Sequence, residues 1–310
     1  MINPIYLIIA DLLDRYIGEP PEKLHPVVFI GNFVKFLEKV FPSTHSVEKL
    51  KDLVFGFITV FLTVFTVFLI FFTLELILNL ISNYYIKLFS YSLILSFSIG
   101  HKSLLEFSKA PIKYIMSGDI KSARKSVQHI VSRDTSTLDE KHVISAAVES
   151  SSENITDSII APLIYAAIFG LSGAFIYRAV NTMDAMLGYK NEKYRYYGKT
   201  AAYLDDILNF IPSRIAGILL IISAPFYGGK IVPAIYGYLK EGFKTPSPNS
   251  GYTMAVIANS LSMELEKIGC YKLGKGEITV LKAVNSLKAV DYSVLLFLVI
   301  YMVLYFNLIY

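Results

Sequence analysis

Cysteine is nearly absent from this chain. Among 310 residues there is one, Cys270, which excludes an intramolecular disulfide and leaves no cysteine cluster for zinc; a lone cysteine of this kind is expected as a small buried hydrophobe. Histidine is scarce too: the five present form no HExxH, and neither a GxSxG elbow nor a GxGxxG turn occurs, which removes zinc-protease, hydrolase-elbow and dinucleotide readings. The segment GCYKLGKG, residues 269–276, comes near a phosphate-binding loop. It fails because Gly276 replaces the required Ser or Thr and because the preceding residues read as a helix rather than a strand. Charge is low, at 17% of residues, and the 29 Lys and Arg are spread over several loops, so nucleic acid is not an expected partner. The opening MINPIYLIIA lacks a basic n-region and runs at once into Asp11, Asp14 and Arg15. It is expected to be a short interfacial helix, not a cleaved signal.

What the chain has in abundance is apolar length. Hydrophobic residues make up 54% of it, and the expected class is all-α: a polytopic helical membrane protein with broken or re-entrant helices and cytoplasmic helical segments, forming one integral membrane domain over residues 1–310. Residues 53–74 carry no charge over 22 positions, enough at ~1.5 Å each to cross the ~30 Å hydrocarbon core. A short second leg, to about residue 100, completes an expected hairpin. The last span is expected over residues 292–310, 19 positions without charge. Six Lys or Arg fall in residues 1–52 and eight in 101–143, against one in 75–87, which places both flanks of the hairpin in the cytoplasm.

Between these spans the pattern changes. Gly18, Pro20, Pro21 and Pro26 make residues 14–27 an irregular connection, with His25-Pro26 shaping its turn. Residues 101–143 read as soluble helices punctuated by Pro111 and Gly118. Ser136 or Thr137 is the expected cap of a helix on which Glu149, Glu153 and Asp157 recur at i, i+4 and i+8 beside Asn154. Carboxylates in such a row repel unless a cation sits among them, and oxygen ligands suit Mg²⁺; the alternative is an acidic face in water. Residues 158–177 are uncharged but broken by Pro162, Gly170 and Gly173. A single crossing there would put the six Lys and Arg of residues 178–214 outside, so a re-entrant or protein-covered helix pair is preferred. Arg178, Asn181 and Asp184 share a helical face, and Asp205, Asp206 and Asn209 lie within one turn that Pro212 is expected to end before Arg214. After the turn-rich TPSPNSG, a helix is expected from about Tyr252 to Ile268. Acids suited to Mg²⁺ near arginines suited to phosphate point to phosphoryl chemistry or a phosphorylated substrate, in an enzyme or a transporter.

The segments SRDTSTLDEKHVISAAVESSSENITDSIIAPLIYAAIFGLSGAFIYRAVNTMDAMLGYK and YGKTAAYLDDILNFIPSR, with DLLDRYIGEPPEKLHPVVFIG and the late SPNSG, closely resemble the CobD/CbiB family, the adenosylcobinamide-phosphate synthases of cobalamin biosynthesis. The resemblance implies a multi-pass cell-membrane enzyme, its active site facing the cytoplasm, that joins adenosylcobyric acid to an aminopropanol phosphate or related amino alcohol in an amide bond, using ATP and Mg²⁺. It leaves a homo-oligomer open. Mapped onto this sequence, Glu149, Glu153 and Asp157 would hold the metal, Arg133, Arg178 and Arg214 would neutralise phosphate, and Asn154, Asn181 and Asp184 would orient the reacting groups. Asp205 or Asp206 would accept the amine proton, and Ser247 and Asn249 would close the site. Tyr203 stands where the family commonly has arginine, so that phosphate contact would be either missing or supplied by Lys199. A transporter or channel with an acid- and arginine-lined path is the competing reading.

Overall fold

The computed structural model describes residues 1–309, with side chains through 308, so position 310 of the expected last span lies outside the described residues. In chain order the helices are α1 (Pro4–Tyr16), α2 (Pro26–Val40), α3 (Lys49–Asn79), α4 (Tyr84–Ser96), α5 (His101–Met116) and α6 (Ile120–Gln128). Then come α7 (Glu140–Ile155), a π-helical turn (Thr156–Ile160), α8 (Ala161–Leu187), α9 (Lys199–Ser223), α10 (Ile231–Lys240) and α11 (Ser250–Ser260). An antiparallel hairpin of β1 (Leu265–Lys267) and β2 (Tyr271–Leu273), with Glu266 opposite Lys272, precedes α12 (Val280–Ile309). Four helical stretches are long and apolar enough to cross a membrane: Lys49–Asn79, Glu140–Leu187, Lys199–Tyr227 and Val280–Leu308. The chain is a helical membrane protein, as expected.

The chain divides into two compact units. The first comprises residues 1–100 and 161–209. In it α3 packs along α8, α1 along α4, and α2 against both α3 and α8, around a core of Val34, Val60, Val180, Met183, Leu187 and Tyr197. His25 caps α2, its Nδ1 accepting from the Val27 N–H at 3.2 Å, so this histidine does shape the turn. The return leg of the hairpin, α4, has 13 residues, about 20 Å of helix against a ~30 Å core. Gly56 lets α3 meet the loop before α9, because a Cβ there would overlap the Tyr197 carbonyl.

α8 is broken once, at Gly170 (φ 67°, ψ −153°), a conformation open to glycine and strained for other residues. The broken-helix expectation for residues 158–177 is thus met. The break is held by Tyr91, whose hydroxyl accepts from the Leu171 N–H at 3.2 Å and donates to Glu75 Oε1 at 2.8 Å. Within the most apolar window of Glu140–Leu187, 72% of residues are buried in the protein, against 28% for Lys49–Asn79; the first is covered by protein and the second is largely exposed.

The second unit comprises residues 101–160 and those from 210 onward. α7 lies at its centre against α5, α6, α11, α12 and β1. Its small residues, Ala146, Ala147, Ser151 and Ser152, are all buried and let these neighbours approach closely. The cap of α7 is Asp139, whose Oδ1 accepts from the His142 N–H at 2.8 Å, not Ser136 or Thr137. The helix expected to reach Ile268 stops at Ser260, and GCYKLG belongs to the β1–β2 hairpin. A strand therefore does precede this segment, but it turns back at Gly269 (φ 74°) instead of leading into a helix. Cys270, expected in the core, is exposed on that turn.

Pro212 does not end its helix; it lies inside α9. A proline there lacks the N–H that would bond the carbonyl four residues back, at Leu208. That carbonyl accepts instead from the Tyr165 hydroxyl at 2.9 Å. Tyr165→Phe keeps the ring and orphans the carbonyl, so thermal or denaturant unfolding in detergent should lose ~1–3 kcal/mol. The same substitution in a Pro212→Ala background should lose far less, since the restored N–H takes the carbonyl. Equal losses in the two backgrounds would refute this compensation.

Candidate functional site

The expected site residues fall into both units, and each group is described within its own. In the second unit α7 carries Glu149, Glu153 and Asn154 on the wall of a cavity of about 270 Å³. Arg133, from the loop before α7, and Lys267 and Tyr271, from the hairpin, also line it. Glu149 is buried, at 5% exposure, and both of its oxygens are engaged. Oε1 accepts from Arg133 Nη2 at 3.1 Å and Ser145 Oγ at 2.7 Å, and Oε2 accepts from the Tyr271 hydroxyl at 2.8 Å. Ser145 Oγ in turn accepts from the Glu266 N–H at 2.8 Å, tying the helix to the hairpin. Burial first, and then the Glu149 charge, push the Tyr271 hydroxyl well above the ordinary phenol range, so it stays protonated and donates. Arg133 Nε is buried and has no protein acceptor. A guanidinium held on one edge by a carboxylate, with its Nε still to be satisfied, is built to meet an anion.

The row Glu149, Glu153 and Asp157 does not assemble a metal site. Among the described residues no group of three or more His, Cys, Asp or Glu has the closeness a metal requires. Two causes are visible. Glu149 is committed to Arg133 and two hydroxyls, and the π turn starting at Thr156 breaks the register that would keep Asp157 in line.

Arg214, Ser247 and Asn249 do come together. Arg214 Nη1 donates to Asn249 Oδ1 at 2.6 Å and Nη2 to the Pro248 carbonyl at 2.9 Å. Its guanidinium lies over the Phe210 and Tyr252 rings, at 3.8 and 4.2 Å from their centroids. Ser247 Oγ accepts from the Asn249 N–H at 3.2 Å. The arginine is a pin for the SPNSG loop, its fork filled by the loop itself.

In the first unit the central group is Asp205, 9% exposed. Its Oδ1 accepts from Asn181 Nδ2 at 3.3 Å and its Oδ2 from Asn209 Nδ2 at 3.0 Å, while Asn209 Oδ1 accepts from the Tyr177 hydroxyl at 2.8 Å. Asp205 thereby joins α8 to α9, and Asp184 lies near enough for its charge to interact with Asp205 and Asp206. Arg178, on the same helix as Asn181, is half-buried. Asp206 points elsewhere, into a cavity of about 640 Å³ lined also by Tyr189, Lys190, Arg195, Lys199 and Tyr203. This gathering of three cations and tyrosine rings was not foreseen beyond Lys199; the run YKNEKYRYYGK held the signal. Its loop is anchored by Lys193, which meets Glu38 at 2.5 Å. The Glu38 hydrogen bond is the main cause pushing Lys193 up to about 12, so this anchor is fully present below the ordinary lysine range and is lost as pH rises through about 12.

Tyr271 was also missed, because the first strand of its hairpin was read as helix and the segment holding it was weighed only as a phosphate-binding loop. Tyr271→Phe should leave Glu149 Oε2 without its donor and cost ~1–3 kcal/mol of stability. Glu149→Gln, which leaves the Arg133 charge uncompensated, should cost ~3–5 kcal/mol. Chemical unfolding of the detergent-solubilised protein measures both. A larger loss for the tyrosine would show that the ion pair is not what holds this wall.

The chain was compared with known proteins. The family model described as CobD/CbiB protein matches residues 7–297. A protein named "Probable cobalamin biosynthesis protein CobD" from Methanococcus maripaludis (strain C7) is 74% identical, the alignment covering 98% of this chain and 99% of that one. Proteins of the same name from Methanocaldococcus jannaschii and Methanothermobacter thermautotrophicus are 59% and 40% identical, over 97% and 86% of this chain and 98% and 86% of theirs. No solved structure matches it. With a family model running through nearly all of its length and relatives this similar end to end, the chain belongs to the CobD/CbiB family.

Proposed function

We propose that this protein acts in cobalamin biosynthesis, as an ATP-dependent ligase that joins the carboxylate of adenosylcobyric acid to the amine of an amino alcohol phosphate. The observation that carries the reading is the cavity with Arg133 on its wall, the Nε buried and without an acceptor beside the Glu149 ion pair. Such a guanidinium recognises a phosphate or carboxylate oxygen in two-point geometry. At about 270 Å³ the cavity is near the lower end of the ~300–1,000 Å³ typical of small-molecule sites. It suits a small phosphorylated amine far better than a corrin. The larger cavity with Lys190, Arg195, Lys199 and tyrosine rings suits the phosphates and the flat base of a nucleotide.

The chemistry balances as follows. A carboxylate oxygen attacks the terminal phosphorus of ATP, giving an acyl phosphate and ADP. The amine then attacks the acyl carbon, the carbon–oxygen bond to phosphate breaks, and inorganic phosphate leaves. The proton lost by the amine passes to a carboxylate, for which Glu153 on the cavity wall is the candidate in this reading. Arg133 would hold anionic oxygen in place, and Asn154 would orient the amine or its chain. Asp205, Asn181 and Asn209 would act through positioning, since both Asp205 oxygens already accept amide hydrogens. The three-acid row does not fit a resident Mg²⁺, so the ion would arrive with ATP, held chiefly by its phosphates and water. In this reading the protein sits in the cell membrane and its positive loops, with these sites, face the cytoplasm, as the charge rule favours.

Purified protein given ATP, adenosylcobyric acid and aminopropanol phosphate should yield a corrinoid amide by mass spectrometry, with one ADP per amide. Arg133→Ala should lower kcat/KM by ~10²–10³-fold, the range seen for loss of a single anion-stabilising donor. Movement of a corrinoid across vesicles without ATP turnover would instead support a transporter. In a Cys270→Ser background, a cysteine placed at the exposed Glu192 should react with impermeant thiol reagents only from the cytoplasmic side. Reaction from outside alone would overturn the orientation.

A further inference from the structure

A third cavity, of about 620 Å³, lies in the first unit, away from the residues assigned above. One face of α3 lines it with Phe68, Phe72, Glu75 and Asn79, residues that helical spacing stacks over ~16 Å. Across from them stand the rings of Tyr165 and Tyr177, stacked at 5.3 Å. Their hydroxyls are spent on the Leu208 carbonyl and Asn209, so they offer ring faces. The cavity volume falls within the ~300–1,000 Å³ of small-molecule sites, and two of its lining rings, Phe72 and Phe169, are exposed on apolar helices.

Two polar groups in this apolar space are unsettled. Glu75 accepts one hydrogen bond among the described residues, from Tyr91, and no Lys, Arg or His pairs with it or lines the cavity. Ser172 is 6% exposed, and its Oγ is buried with no hydrogen-bond partner. Both line the same cavity, and Glu75 lies against the break in α8, where a Cβ on Gly170 would overlap its carboxylate. A carboxylate in apolar surroundings is costly unless a cation meets it. Ring faces beside it add cation–π attraction.

We infer that this cavity binds an amphiphilic ammonium, a cationic nitrogen on an apolar body. The nitrogen would meet Glu75 and donate to Ser172 Oγ, and the apolar part would lie along Phe68 and Phe72. The site is distinct from the one proposed for the phosphorylated amine, since nothing cationic lines it to take a phosphate. The ammonium could belong to the head group of an aminolipid or to a free alkylamine; the recognising chemistry is the same.

The test uses the full chain in a neutral detergent, with dodecylamine, dodecanol and dodecanoate as probes followed by native mass spectrometry and thermal shift. Dodecylamine should form a saturable one-to-one adduct and raise the unfolding temperature. Glu75→Gln should weaken it by about tenfold or more, equivalent to ~1.4 kcal/mol. Ser172→Leu, which fills the cavity without altering Glu75, should abolish the adduct, and it keeps the test valid if Glu75→Gln loosens the fold. Protein reconstituted in phosphatidylethanolamine vesicles and then extracted should retain that lipid if the source is the bilayer. Retention of dodecylamine alone would assign a free amine. Dodecanol binding as tightly as dodecylamine, no adduct with either amine, or amine binding unchanged by both substitutions would overturn the inference.

Discussion

A polar group inside an apolar helix costs several kcal/mol unless something meets it. Here the partners come from the protein itself. Glu149 is met by Arg133, Ser145 and Tyr271, and Asp205 by two asparagines. The carbonyl exposed by Pro212 is met by Tyr165. The contacts from Arg133, Tyr271, Asn181 and Tyr165 each fix the relative placement of two elements of one unit, so groups that look expensive in the sequence help to set its packing. The same rule explains the backbone: α8 breaks at a glycine beside Glu75, and Tyr91 is at hand to meet the N–H beyond the break.

The units spend this rule differently. In the first, neutral amides satisfy the buried carboxylate Asp205, so the network between α8 and α9 can be rigid without adding a buried cation. In the second, a full charge pair is used, and Arg133 keeps one donor in reserve. Arg214 shows the opposite disposition: with its fork filled by Asn249 and Pro248 and its plane covered by two rings, it has structural work. Arginines of equal standing in the sequence thus differ because one is met by a loop backbone and the other by a single carboxylate.

Long uncharged runs were legible because span length is a count: residues 53–74 sit inside α3 and residues 292–308 inside α12. The His25 cap and the break at Gly170 were legible because proline and glycine act locally. The acidic row was legible as a helical face and misleading as a metal cluster, since periodicity gives direction but not what stands opposite, and a π turn cannot be seen in apolar spacing. Pro212 was misread because its compensation comes from Tyr165, 47 positions earlier in the sequence. The hairpin was missed for a related reason: strands of three residues are too short to carry a period of two, so its first strand was absorbed into the preceding helix. The cavities themselves are products of packing, and only their lining residues had any trace in the sequence.

The hairpin turn has a practical side. Its thiol is the single one in the chain and it is exposed, one position before the tyrosine that touches Glu149. A fluorophore or spin label attached there would sit with unit stoichiometry beside the Arg133 wall, turning the natural sequence into its own optical gauge of whether that cavity is filled.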